Sequence, residues 1–159
     1  MKERTISTDL SRLRKVDLED LGNLLGRDFP SGLRKQVLVR DLAGYLTDQP
    51  EEWLSHLLGR DLLLLEWLVD AGPENPRYVE RWAHSSLLEI SGIVDYEDTD
   101  GLYRKVWVRR EVYSIVAPYV AGVRWSEEVS GRFKVEQAAF GYLNLYGIIP
   151  VRQFNALLT

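Results

Sequence analysis

Apolar positions along this chain recur mostly at helical spacing, separated by short breaks that contain Gly or Pro. Leu18, Leu21, Leu24 and Leu25 form one stripe and predict a helix over 17–25. Leu38, Leu42, Tyr45 and Leu46 form a second stripe, predicting a helix over 35–46 after the breaker-rich stretch Gly26-Arg27-Asp28-Phe29-Pro30-Ser31-Gly32. Trp53, Leu54, Leu57 and Leu58 mark a helix over 49–58. Asp48 stands three residues before Glu51 with Pro50 in the first turn, the spacing of a capping box. Asp61 reads as the cap of the next helix, 62–71, where Leu62, Leu63, Leu64, Leu65, Trp67, Leu68 and Val69 leave little polar face. That helix is expected at the centre, with Leu64 and Trp67 in the core.

Gly72-Pro73 ends this helix, Asn75-Pro76 opens another, and Gly92 closes it. The period then changes. Ile93–Tyr96 and Leu102–Val108 are rich in β-branched and aromatic residues around an acidic turn ending in Gly101, which predicts one β-hairpin. Val112, Ile115, Val116, Tyr119 and Val120 return to helical spacing from about Arg110, with Pro118 expected to end or kink the helix. Residues 121–131 read as loop, 135–147 as helix, and Pro150 opens a last one. The chain then stops at Thr159 without a helix-terminating signal, which reads as the edge of a piece of a longer protein.

The pattern therefore specifies a mainly α (α+β) fold: about seven helices bundled around Leu62–Val69 with one small β-hairpin. Its 159 residues suit a single domain, with sub-units at 1–47 (helix–loop–helix) and 48–159 (helices and hairpin). Composition agrees: 45% hydrophobic and 28% charged residues are the balance of a folded globule. Without cysteine there is no disulfide framework, thiolate zinc site or cysteine nucleophile, and the cytoplasm is the expected compartment. No apolar run approaches the roughly 18 residues of a membrane span, the longest pure-leucine run being Leu62–Leu65.

The net charge of −4 is unevenly spread: residues 1–49 carry 9 basic and 8 acidic side chains, 50–101 carry 3 and 12, and 102–159 carry 8 and 4. An acidic middle between weakly basic ends is not the single basic excess of a nucleic-acid coat.

Catalytic signals are sparse. His56 and His84, the only histidines, lie on different predicted helices with no third imidazole or thiolate to complete a zinc shell. No Gly-x-Ser-x-Gly elbow and no phosphate-binding Gly-rich loop occurs. The turn Asp95–Gly101 is acidic enough to suggest calcium, but aligning Gly101 with the invariant EF-hand Gly puts Tyr96 and Trp107 where carboxylates belong. It reads instead as a solvated turn whose carboxylates face Arg104 and Lys105. Glu80, Glu89 and Asp70 read as solvated helix faces. No metal and no cofactor is expected.

Two stretches carry a resemblance. Leu18, Leu21, Leu24-Leu25-Gly26, Phe29-Pro30-Ser31-Gly32, Lys35, Leu38-Val39 and Leu42 follow in the order seen in SAP and Rho N-terminal-like helix–loop–helix domains, over residues 13–46. The pattern departs by one extra residue between Gly26 and Gly32 and another between Gly32 and Lys35. The resemblance implies nucleic-acid contact through Ser31, Arg34, Lys35 and Arg40. Residues 76–120 are similar in outline to a winged helix, a helical trio followed by a two-stranded wing. Strand alternation places Tyr103, Lys105, Trp107 and Arg109 on one face of that wing, an aromatic and basic surface able to meet phosphates and bases. Lys105 on an edge strand also serves as a guard against edge-to-edge pairing.

The expected function is a non-catalytic interaction module docking a protein partner or, second to it, DNA or RNA, through Arg34, Lys35, Arg40, Tyr103, Lys105, Trp107 and Arg109. Its rivals are an enzyme with an unrecognised carboxylate-based site and a purely structural domain.

Overall fold

The computed structural model describes residues 4–81, 86–120 and 130–139. Among them 63% are helical, in eight helices, and three strands form one antiparallel sheet. The chain order is α1 (Ile6–Arg12), α2 (Lys15–Leu24), α3 (Lys35–Asp48), α4 (Pro50–His56), α5 (Gly59–Ala71), β1 (Arg77–Glu80), α6 (Ser86–Ile90), β2 (Val94–Asp98), β3 (Tyr103–Val108) and α7 (Arg110–Val120). An eighth helix, α8, covers 130–139. The mainly helical α+β class is as the pattern specifies. The helix expected from Pro150, and the part of its predecessor beyond 139, lie outside the described residues.

One continuous apolar core joins α1 to α7 and the sheet. Leu10 of α1, Leu18 of α2, Leu38 and Leu42 of α3, Trp53 of α4, Leu62, Leu65 and Leu68 of α5, Leu88 of α6, Val106 and Val108 of β3 and Val116 of α7 are all buried. Helix α3 packs on α1, α2 and α4, while α5 packs on α7 and β3. The polar ends of two core aromatics close helix termini: the Tyr45 hydroxyl donates to the Leu25 carbonyl at 2.7 Å and the Trp53 indole to the Leu46 carbonyl at 3.0 Å. Each takes up a carbonyl that a helix end leaves without an intrahelical partner.

The α2–α3 connection is the extended loop the Gly/Pro cluster calls for. Gly26 ends α2 in the left-handed region (φ 83°), and a Cβ there would meet the His56 ring, so only glycine fits. His56 thus covers the α2 terminus.

Several elements differ from the sequence expectation, each for a tertiary reason. Helix α1 was unforeseen because Ile6–Arg12 is Ser/Thr-rich and poor in helix formers. It is capped by Thr5, whose Oγ1 accepts from the Thr8 amide at 3.2 Å, and by Glu111 of α7, whose carboxylate accepts from the Ile6 amide at 3.0 Å. The Asp48/Glu51 capping box is absent: Asp48 ends α3, and Gln49 precedes Pro50 without a side-chain cap. Asp61 does not cap α5, which begins earlier, at Gly59. Instead Glu136 of α8 accepts from the amides of Gly59 at 2.6 Å and Arg60 at 3.3 Å. A carboxylate at a helix N-terminus meets both the orphan donors and the positive end of the dipole. Gly59 is what lets α8 this close, since a Cβ there would lie 2.7 Å from the Phe133 backbone nitrogen.

Residues 77–80 are strand, not helix. Arg77–Glu80 pairs antiparallel with β3 in the register Arg77↔Val106, Tyr78↔Lys105, Val79↔Arg104, Glu80↔Tyr103. An available strand edge outweighs the helix-opening tendency of Asn75-Pro76, which local sequence cannot reveal. The predicted hairpin is present as β2–β3, but with sheet order β1-β3-β2 the strand β3 is central. The wing of the winged-helix outline is therefore two strands of a three-stranded sheet, and Lys105 guards no edge. Pro118 lies inside α7 and does not end it, the helix being described as far as Val120. Of the loop expected over 121–131, Ser130 and Gly131 belong to α8. Finally, Trp67 is 42% exposed, with the Arg77 guanidinium 4.7 Å above its ring, and Leu64 is only partly buried. A helix apolar on all sides exceeds what α7 and β3 can cover.

Candidate docking surfaces

The α2–α3 side carries the first group of sequence-predicted residues. Arg34 is the N-cap residue of α3 and Lys35 its first helical residue; both are exposed, with no carboxylate in ion-pair range among the described residues. Ser31 is exposed in the preceding turn, and Arg40 is exposed one turn on, its Nε 3.9 Å from Asp41. Lys35 lines a depression of about 390 Å³ with Ser11, Gln36 and Val39.

The β3 group divides differently. Tyr103 is exposed opposite Glu80, while Trp107 is half-buried opposite Asp95. Lys105 lies between Tyr78 and Glu97, with its Nζ 3.7 Å from the Glu97 carboxylate. Arg109 is not on this surface. It is 5% exposed, donates to Asp95 at 2.7 Å and to Asp9 of α1, and so clips α1 to the sheet. Burial works against its charge, but hydrogen bonds to Asp95 and Asp9 outweigh that and hold its pKa above the ordinary value. Strand alternation misplaces Arg109 because β3 ends at Val108 and the next residue turns inward before α7. Arg104, on the core side of the sheet, donates to both oxygens of Glu89 at 3.0 and 2.9 Å and to Asp98 at 2.8 Å, with the Tyr96 ring 4.2 Å from its guanidinium carbon. Again burial opposes the charge, and the carboxylate hydrogen bonds raise its pKa overall. The acidic turn thus does what the solvated-turn reading expects: Asp98 faces Arg104 and Glu97 faces Lys105. Among the described residues no three His, Asp or Glu side chains converge as a metal shell would require.

A third surface was not anticipated. Between α2 and α6 runs a cleft of about 360 Å³ lined by Leu13, Asp17, Asp20, Leu21, Leu24, Leu87 and Ile90. Leu24 is 62% and Ile90 47% exposed, although the helical stripe assigned Leu24 to the core. The spacing held the signal: Leu18, Leu21 and Leu25 lie on one line at i, i+3 and i+7, and Leu24 lies off it. Helix α6 is only five residues long, and Leu88 and Glu89 fix it. Leu88 is fully buried, and Glu89 is held by Arg104, so Leu87 and Ile90 are presented as one wall of the cleft.

The carboxylates of this cleft are unequal. Asp17 receives two hydrogen bonds from the Arg14 guanidinium, both 2.8 Å, and one from the Arg14 amide at 3.2 Å, which hold its pKa below the usual carboxylate value. Asp20 has no counter-ion or hydrogen-bond partner among the described residues. No described helix is long and apolar enough to cross a membrane. No family model, no curated protein and no solved structure matches this chain.

Proposed function

We propose that this chain is a non-catalytic interaction module that docks a protein partner. The observation that carries the reading is the cleft between α2 and α6, where Leu24 and Ile90 stay in solvent beside a core that buries their neighbours. Exposed apolar side chains gathered around a concavity are what a docking surface offers. The nucleic-acid alternative keeps a narrower base. Lys105 faces Glu97 and Arg109 is buried between two carboxylates, so the sheet presents no free cation row. What favours that alternative is the start of α3, where Arg34, Lys35 and Arg40 stand in water.

Two measurements on the full chain separate the readings. Panning a displayed library of random peptides should enrich specific sequences, and fluorescence anisotropy with labelled duplex DNA and single-stranded RNA should show no binding at low salt. Peptide panning without enrichment overturns the docking reading. Nucleic-acid binding with a log–log salt slope of about −3, as three phosphate contacts would give, and lost on Arg34→Glu with Lys35→Glu, establishes the alternative.

A further inference from the structure

The lining of the α2–α6 cleft also specifies its occupant. Five of its seven lining residues are apolar, two are carboxylates and none is cationic. Neighbouring acids are already matched: Asp17 by Arg14, Glu19 by Lys15 at 3.7 Å, and Glu89 by Arg104. Asp20 alone faces the cleft unmatched, between exposed Val16 and Leu24 on the same helix. Covering it with a purely apolar surface would strip water from a charge and return nothing. Covering it with a second copy of this chain in a two-fold arrangement would bring like carboxylates together, since such an interface repeats the same patch on both sides.

Resting on the docking reading above, we infer that the cleft takes an amphipathic helix of a protein partner whose apolar anchors flank one Lys or Arg that pairs with Asp20. The dimensions agree. A cleft of about 360 Å³ lies near the lower end of ligand-sized pockets and seats a few side chains rather than a domain face. Its walls are two helices, so the occupant meets side chains and not an open strand edge, as in helix-in-groove recognition with anchors at i, i+3 or i+4 and i+7. The cation fixes register along the groove while the anchors supply affinity.

The test pans a displayed random 16-residue peptide library on the full chain, then again on the Asp20→Lys variant. Peptides enriched on the parent should carry Lys or Arg with Leu, Ile, Phe or Met three or four residues to either side. A synthetic peptide of that consensus should lose about tenfold or more in affinity, near 1.4 kcal/mol, on Asp20→Lys and likewise on Leu24→Asp. The Asp20→Lys chain should select Asp or Glu at the same place. Both side chains are exposed, so circular dichroism should be unchanged, and Asp20→Asn provides a milder arm with an intermediate loss. Enriched peptides with no basic consensus, or equal binding to parent and Asp20→Lys, overturn the inference and leave the docking reading standing. No enrichment on the parent overturns both.

Discussion

At the start of α3, Arg34 and Lys35 extend into water; along and just after β3, Arg104, Lys105 and Arg109 are each bound to carboxylates. The two groups have nearly the same composition and opposite roles. Helix α3 is flanked by α1, α2 and α4, and none of them brings an acid to its first turn. Strand β3 is central, and the register of β2 sets Asp95, Glu97 and Asp98 opposite Trp107, Lys105 and Arg104. A cation on a strand is handed its cross-strand neighbours by register, whereas a cation at a helix start keeps its solvent unless another element reaches it. Basic residues near β3 therefore hold the fold together, and those near α3 remain available.

The strongest break of this contrast is Arg109→Met. It leaves Asp9 and Asp95 half-buried and facing each other, and loss of one partner from a buried ion pair costs about 3–5 kcal/mol. The lower end is expected because Arg4 and Arg12 still reach Asp9, at 3.4 and 3.6 Å. Denaturant unfolding measures it, and α1 should lose amide-exchange protection first. A melting temperature equal to the parent's would show that the clip is not structural.

Next comes Arg104→Met, which removes the Nη1 contact to both Glu89 oxygens and should cost about 1.5–3 kcal/mol, the range for hydrogen bonds to charged groups. Because Glu89 positions α6, peptide affinity for the cleft should fall as well, a combination that a purely local loss would not give.

The α3 side has a titration that sharpens the contrast. Burial raises the pKa of Tyr45 above 10.0, with Glu52 adding to it and Arg27 partly opposing. The folded chain then holds the phenolic proton more tightly than the unfolded chain. This stabilisation is complete below pH about 10 and declines as pH rises through the folded value. Tyr45→Phe should cost about 1 kcal/mol near neutral pH, through the lost bond to Leu25, and the gap to the parent should narrow in strongly alkaline solution. A gap independent of pH up to the alkaline limit would contradict the burial argument.

The smallest effect is expected at the free cations. Arg34→Glu with Lys35→Glu should change stability by no more than about 0.5 kcal/mol, as exposed substitutions usually do. A loss comparable to that of Arg109→Met would mean that this group too is bound into the fold.

Helix positions were legible because the 3.6-residue period of buried leucines is written into the chain: Leu38, Leu42, Tyr45 and Leu46, or Val112, Val116 and Val120, are buried as their spacing requires. The β2–β3 hairpin was legible from its β-branched and aromatic composition, and the exposure of Arg34 and Lys35 from their place at a helix start. What needed the tertiary structure were features settled by residues far apart in the chain: Glu136 capping α5, β1 completing the sheet, and Arg109 turned inward to Asp9 and Asp95. The α2–α6 cleft belongs with them, since Leu24 and Ile90 lie 66 positions apart and share a surface only once the core has brought their helices together. Sequence spacing fixes which side of a helix is apolar; whether a neighbour covers that side, or a carboxylate reaches a given cation, depends on packing between elements that local sequence does not encode.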